Sequence, residues 1–412
     1  MSKLLPPALP ALPAWSASRD VPVAWRERWN HAIFLLGEDE TGSNVPEPVV
    51  PPLVQSANFR FSDTNAIRQA FLDESTSTLY TRGRNPSVEL LNKKMAALEG
   101  TAAALHFGSG VAAMAAAIMH AAKAGDHVLC VANPYPWTAW LLRDYLPRFG
   151  VKADFVDAQH TQAVMDACKP QTRALVLESP NSFTFAVQDI AALTAFARSR
   201  DICTILDNSY ATPLRQQAAS LGVDLIVHSA TKYLNGHGDV VAGAVCGSQK
   251  RMTSLFKEEL QGLGGILSPH DAWLMLRGLR TLPVRLERIG ETACRLVEAF
   301  SQDHRITAIH FPWHPDHPQA ELVRKQMWGP CGQFTVQLDT QDPACAERFT
   351  DALQWFQIAV SWGGYESLVL PAVAKPGNTL PVGTVRFCAG LEDPAILWAD
   401  CQQALDAAFG GS

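Results

Sequence analysis

From about residue 86 onward, helical periodicity alternates with short apolar runs, and few architectures can absorb that rhythm. The runs at residues 128–131, 174–177, 202–206, 225–227 and 240–245 read as buried strands. Helical segments lie between them, so successive strands are joined by crossovers and the sheet is expected to be mostly parallel. The first helix is punctuated at both ends: Asn85 caps it, Pro86 suits its first position and Gly100 stops it. Val88, Leu91, Met95 and Leu98 recur along it at helical spacing. A second helix opens at Asp189 and carries Ile190, Leu193 and Phe196 on one face.

A longer helical pattern runs from near Pro269 to Phe300, with a bend expected at Pro283. Beyond it, strands at residues 306–311, 334–338 and 358–360 alternate with helices. The reading is an α/β chain in three parts: an N-terminal arm (1–60), a large domain with a mostly parallel sheet (61–268) and a smaller C-terminal α/β domain (269–412). The first 60 residues are Pro-rich with little periodicity and read as an extended arm able to pack on a partner subunit. Residues 4–10 read as a mobile segment, since prolines and the single Lys3 make a poor signal-peptide core.

Composition narrows the partners. The chain has 412 residues, 47% of them hydrophobic and 18% charged, enough for a large core. Its net charge of −6 is scattered, which points away from nucleic acid and anionic membranes and toward a small-molecule substrate. The longest apolar run, residues 111–119, is too short to span a bilayer and reads as a buried helix. Nine cysteines are spread without a Cys-x-x-Cys pair, as suits a reducing cytoplasm, and no His/Cys spacing suggests a metal.

The chemistry converges on one lysine. Leu225-Ile226-Val227 ends in His228-Ser229-Ala230-Thr231-Lys232, followed by the glycine-rich Asn235-Gly236-His237-Gly238. Alone, this is as well a solvated turn. Asp207 ends an earlier apolar strand, where it serves either as a strand-end cap or as partner to a protonated ring nitrogen. Gly108-Ser109-Gly110-Val111 opens the alanine-rich helix, whose free N–H groups favour an anion. Ser229 and Thr231 add hydroxyl donors, and Tyr80-Thr81-Arg82 adds an arginine fork. Tyr135 follows a strand end and is either a packing aromatic or a ring that stacks on a flat ligand. Arg386 lies in an apolar strand, where a buried guanidinium needs a carboxylate, from the protein or from a substrate. A lysine aldehyde-trap, a ring-nitrogen partner and a phosphate cradle together describe a site for pyridoxal 5'-phosphate.

In order along the chain, the motifs Tyr80-x-Arg82, Ser109-Gly110, Glu178-Ser179-Pro180, Asp207-Asn208 and Ser229-Ala230-Thr231-Lys232 resemble those of the Cys/Met-metabolism PLP-dependent enzymes. The likeness runs from about Gln55 to the C-terminus. It looks most like the bacterial cystathionine β-lyase branch through Arg277-Gly278-Leu279-Arg280-Thr281-Leu282, Ser361-Trp362-Gly363-Gly364-Tyr365-Glu366-Ser367-Leu368 and Gly390-Leu391-Glu392-Asp393. The resemblance implies the aspartate aminotransferase type I fold. It assigns the Schiff base to Lys232, the ring nitrogen to Asp207 and ring stacking to Tyr135. Phosphate contacts fall to Gly110, Val111, Ser229 and Thr231, with Tyr80 and Arg82 entering from a neighbouring subunit. Arg386 would hold the substrate α-carboxylate, beside Ser361 and Trp362.

A cytoplasmic homotetramer of dimers with shared sites is implied, acting on L-cystathionine by α,β-elimination to homocysteine, pyruvate and ammonia, with cysteine and cystine as further substrates. Lys232 and Tyr135 are the implied catalytic groups. γ-Replacement or γ-elimination on the same scaffold is the alternative, and a non-enzymatic PLP-binding regulator a more distant one. Three departures bear on substrate choice: the bulky Tyr135-Pro136-Trp137, Asn181-Ser182-Phe183 after Glu-Ser-Pro, which lacks the pattern of synthases and γ-lyases and looks more like the β-lyase version, and Val360 before Ser361, which fits neither branch well.

Overall fold

Seven short strands pair into one sheet in the computed structural model, which describes residues 9–35 and 48–410. They are β1 Ala103–Phe107, β2 His127–Val131, β3 Lys152–Val156, β4 Thr172–Glu178, β5 Cys203–Asp207, β6 Leu225–His228 and β7 Gly243–Gly247. Their order is β1-β7-β6-β5-β4-β2-β3. β2 to β6 are parallel, and β7 alone runs against its neighbours β1 and β6. Helices cover the faces, so β2, β6 and β7 are buried at every position. The carboxyl ends of β4, β5 and β6 lie side by side, the place where open α/β sheets bind ligands.

Two of these strands escape a reading by apolar runs. β1, Ala-Ala-Leu-His-Phe, is made of helix-tolerant residues after a helix, and β3 is a half-exposed edge that alternates Lys152 and Asp154 with apolar residues. β7 also begins at Gly243 rather than 240, because the Ala242 backbone is held by the Thr231 hydroxyl instead of a strand neighbour.

The helix Pro86–Glu99 has the expected ends, with Asn85 Oδ1 accepting from Ser87 N and Gly100 at φ 73°. Asp189 caps Ile190–Ser199 as expected, although Phe196 is only half-buried. The bend expected at Pro283 is a full break: Pro269–Leu279 ends, and Leu282–Ser301 begins with Pro283 in its first turn, where a missing N–H costs nothing.

A second sheet follows, with β8 Ile306–His310, β9 Gln333–Leu338, β10 Gln357–Ile358, β11 Leu368–Pro371 and β12 Thr384–Cys388. Its order is β10-β11-β12-β9-β8, and only β10 and β11 are parallel. Phe334 and Phe387 stack at 5.4 Å in its core, and Phe300 from Leu282–Ser301 packs on both.

Within the expected extended arm, residues 9–35 are described, and their helix packs onto the chain's own large unit. Val23–Asn30 is a helix whose Trp25 and Trp29 pack on Trp328 at 5.0 and 5.5 Å, and Trp29 Nε1 donates to the Leu98 carbonyl. The four-residue spacing of those tryptophans is a helical signal that the flanking prolines obscure. Of the segment read as mobile, residues 4–8 lie outside the described residues. Among the described residues no helix is long and apolar enough to cross a membrane.

Candidate active site

Two adjacent strand ends build the centre of the site. β5 ends in Asp207, in register with Val227, so β6 continues one residue further to His228 before turning toward Lys232. Asp207 Oδ1 accepts from the backbone N–H of Ser209 (2.9 Å) and from its hydroxyl, and Ser209 Oγ accepts from Ser229 N at 2.6 Å. Ser209 thus ties the two strand ends together. The second oxygen of Asp207 makes no hydrogen bond among the described residues, which leaves it for a ligand.

Glu178, at the end of β4, is the register neighbour of Asp207. Burial, and then the charge of Asp207, pushes its carboxyl up to about 8. Burial raises Asp207 too, but the Ser209 hydrogen bonds and the charges of His228 and Lys232 pull it back. The Ser209 hydrogen bonds favour the charged form of Asp207, so Glu178 is the member of the pair that holds its proton more firmly. Glu178 also accepts from Tyr135 N (2.6 Å) and Ser182 N (3.0 Å), fixing the two loops that enter the site. Behind the strand ends, wholly buried His228 meets wholly buried Glu99 at 2.6 Å, and Asn208 Nδ2 donates to the same Glu99 oxygen at 3.0 Å.

Gly110 opens the helix Gly110–Ala121, capped by Ser109 Oγ accepting from Ala112 N. A Cβ on Gly110 would lie 2.8 Å from Ser229 Oγ, so only glycine lets this helix start approach the lysine turn. Gly110, Val111 and Ser229 are thereby brought together. Thr231 is engaged differently: its hydroxyl exchanges hydrogen bonds with both backbone groups of Ala242 and anchors the turn.

Lys232 Nζ donates to Ser361 Oγ at 2.6 Å and lies 5.7 Å from the centre of the Trp362 ring. Burial, and after it the charge of Arg386, brings the ammonium down to about 8. Arg386, in β12, donates to the Ser361 carbonyl at 3.1 Å, and its guanidinium sits 5.0 Å from the ring centre of Phe183. Burial lowers it to about 10. No carboxylate pairs with it among the described residues, so the internal acid partner that was one of two expected possibilities is not what the strand supplies. Tyr135 is half-exposed, and its phenol is pushed up by burial and by the charges of Asp207 and Glu178, so it stays protonated.

Tyr80 and Arg82 stand apart. Tyr80 is exposed and bridges to Asn58, with the Arg82 guanidinium 5.8 Å from its ring. Among the described residues neither makes a hydrogen bond to Gly110, Ser229 or Lys232.

Sequence reasoning singled out neither Ser209 nor the Glu99–His228 pair, and it took Glu178 only as part of a motif. It also passed over Arg285, whose guanidinium donates to the carbonyls of Tyr233 (2.8 Å) and Gly278 (2.9 Å) and fills the space a Cβ on Gly236 would need. A polar residue at or just past the end of an apolar strand is the available signal for Ser209, His228 and Glu178, whereas Glu99 closes a helix and has none. Arg285 has none: besides its neighbours Gly278 and Thr281 it reaches the main-chain carbonyls of Tyr233 and Asn235, 52 and 50 positions earlier, which chain spacing does not show. The fold also gathers His120, Glu258 and Glu259, with ligand-capable atoms within 4.8 Å of one another, a grouping that chain spacing conceals.

A family model described as Cys/Met metabolism PLP-dependent enzyme matches residues 35–406. The chain is 39% identical over 373 residues to the L-methionine gamma-lyase of Pseudomonas putida, covering 87% of this chain and 93% of that one. It is 32% identical over 353 residues to the cystathionine beta-lyase of Lactococcus lactis subsp. cremoris, covering 83% and 92%. The crystal structure of metB from Corynebacterium glutamicum superposes with a TM-score of 0.84 at 30% identity, covering 93% of this chain and 97% of that one.

Proposed function

This chain belongs to the Cys/Met metabolism PLP-dependent enzymes, and from that premise we propose a carbon–sulfur lyase that performs α,β-elimination on L-cystathionine, releasing homocysteine, pyruvate and ammonia. The residues fit pyridoxal phosphate: an oxygen on Asp207 that makes no hydrogen bond among the described residues, a glycine-lined helix start against Ser229, and a lysine amine near enough for its charge to act on Asp207. When bound, that cofactor supplies an aldehyde that condenses with amines and a protonated ring that withdraws electrons from the substrate Cα.

The side chains supply the rest. Asp207 holds negative charge toward the ring nitrogen, and Ser209 keeps that carboxylate oriented. Arg386 binds the α-carboxylate through the N–H groups that Ser361 leaves free. Lys232 Nζ takes the Cα proton and delivers a proton to the departing sulfur as the Cβ–S bond breaks. In the cofactor-free site burial already brings the Lys232 ammonium down to about 8, the direction a proton-transferring amine needs. Tyr135 offers its ring face at the mouth of the site.

The observation carrying β- rather than γ-elimination is the Ser361-Trp362-Gly363-Gly364 block, the stretch most like the β-lyase branch, which puts Ser361 Oγ 2.6 Å from Lys232 Nζ and the bulky Trp362 ring 5.7 Å from it. γ-Elimination is the second reading, favoured by the 39% identity to an L-methionine gamma-lyase. The purified holoenzyme given L-cystathionine and, separately, L-methionine decides between them. Pyruvate from L-cystathionine should exceed 2-oxobutyrate from L-methionine by at least about tenfold, and the reverse ratio overturns the proposal. Cysteine and cystine are further substrates under the same reading. Tyr80 and Arg82 serve the phosphate of a neighbouring subunit in a homotetramer of dimers, a role supported by their exposure and by their lack of bonds to their own chain's cradle. A cytoplasmic setting fits nine cysteines that are all free.

A further inference from the structure

A buried guanidinium is costly unless something compensates its charge. Arg386 is only 7% exposed; it donates to the Ser361 carbonyl and lies over the Phe183 ring, with no carboxylate partner among the described residues. Both contacts come from residues in an unfavourable backbone conformation: Ser361 at φ 79° and Phe183 at φ 65°. For an aromatic side chain that is an outlier, and outliers persist where surrounding bonds over-determine them. Such bonds are present. Ser182 N donates to Glu178 Oε1, Asn181 Oδ1 accepts from Thr184 Oγ1 (2.7 Å) and Ala186 N (3.0 Å), and His317 Nε2 meets the Phe185 carbonyl at 3.2 Å. The loop is thus tied on both sides of Phe183, and its ring is delivered to a residue 203 positions later, counting from 183 to 386.

We propose that Phe183 is a positioning residue for the substrate carboxylate. Its ring covers one face of the Arg386 guanidinium and holds the plane, so that the N–H edge not used by Ser361 is presented to an α-carboxylate. The π face offsets part of the charge while leaving those donors unpaired, which an acidic neighbour would not do. The consequence is selectivity for amino acids with a free α-carboxylate. A substrate amide at that carbon gains nothing from Phe183. The inference rests on the reading that Arg386 binds the carboxylate.

The test uses the holoenzyme with four substitutions. Glycine adopts φ 65° without strain, so Phe183→Gly should remain folded and yellow. Its KM for L-cystathionine should rise about fivefold or more, with kcat within twofold and the visible absorbance unchanged. Phe183→Tyr, which keeps the ring face, should hold KM near the parent value. Phe183→Leu, which keeps bulk without the face, should raise it. A KM within twofold of the parent in both Phe183→Gly and Phe183→Leu overturns the proposal, as does a loss in Phe183→Tyr equal to that in Phe183→Leu. Arg386→Leu separates the two layers. If it leaves KM unchanged, the carboxylate reading itself falls. If it raises KM tenfold or more while Phe183→Gly and Phe183→Leu do not, only the role of Phe183 falls.

Discussion

The two ends of the pocket are built by opposite means. At the cofactor end, Asp207, Ser209, Ser229 and Gly110 sit on strand ends and a helix start of one sheet, and a chain of short hydrogen bonds fixes them in advance. At the proposed substrate end, Ser361 and Phe183 come from loops and Arg386 from β12, the middle strand of the second sheet, with both loop residues strained and the cation without an acid partner among the described residues. The difference teaches where specificity is held. A group that stays bound is met by a satisfied scaffold, whereas a substrate that must enter and leave is met by unspent hydrogen-bonding capacity. Lys232 stands at the join, on the cofactor-side turn with its amine on Ser361 of the other side.

Four substitutions break or sharpen that contrast. Lys232→Ala, at the join, should lower pyruvate production by about a thousandfold or more, because both proton transfers lose their carrier. Full activity in that variant would dissolve the site as described. Asp207→Asn preserves the shape of the cofactor end but not its charge. It should cost roughly a hundredfold in kcat and weaken cofactor retention, measured by turnover and by visible absorbance after dialysis.

Arg386→Leu attacks the other end and should behave differently. KM should rise by about 10- to 100-fold, the worth of a charged hydrogen bond. The melting temperature of the protein should hold or increase, since an unpaired buried charge has been removed. A fall of several degrees would mean that the substrate end is as internally satisfied as the cofactor end.

The smallest effect is on stability alone and concerns the cofactor-free protein. Lys232 falls from 10.5 in the unfolded chain to about 8 when folded, so between those values the unfolded state binds more protons. Stability should therefore rise with pH across that window. Its full contribution is present above 10.5 and is lost as pH falls through about 8. Lys232→Met should be the more stable protein at pH 7, and the gap should close toward pH 10.5 in denaturant titrations of the two cofactor-free forms. A gap that does not change with pH would refute the burial of that amine.

The same contrast governs how much could be read from the chain. The cofactor end was legible in outline, because Asp207, Ser229 and Lys232 each follow a short apolar run, and a polar residue at a strand's carboxyl end is a local signal. The bonds that make it rigid were not: Ser209 reaches Ser229, and His228 reaches Glu99, only because β5, β6 and the helix Pro86–Glu99 are packed together. At the substrate end, Arg386 stood out as a charge in an apolar strand, but nothing near it in the chain names Phe183 as its neighbour. The departure at Asn181-Ser182-Phe183 was visible as a pattern and became physical only with its φ angle and its partner.

Fold elements divide in the same way. Asn85, Gly100 and Asp189 mark helix ends within a few residues of themselves, and they end helices where expected. The start of β7 and the docking of Trp25 and Trp29 on Trp328 depend on remote contacts. By itself, then, the sequence determined the alternating α/β order and placed the candidate lysine and aspartate at strand ends, because caps, turns and strand runs act over a handful of bonds. Only the tertiary structure decided which carboxyl holds its proton more firmly, which aromatic ring faces the arginine and which hydroxyl holds the lysine. Burial and partnership are properties of elements packed from distant parts of the chain, and neither exists until they meet.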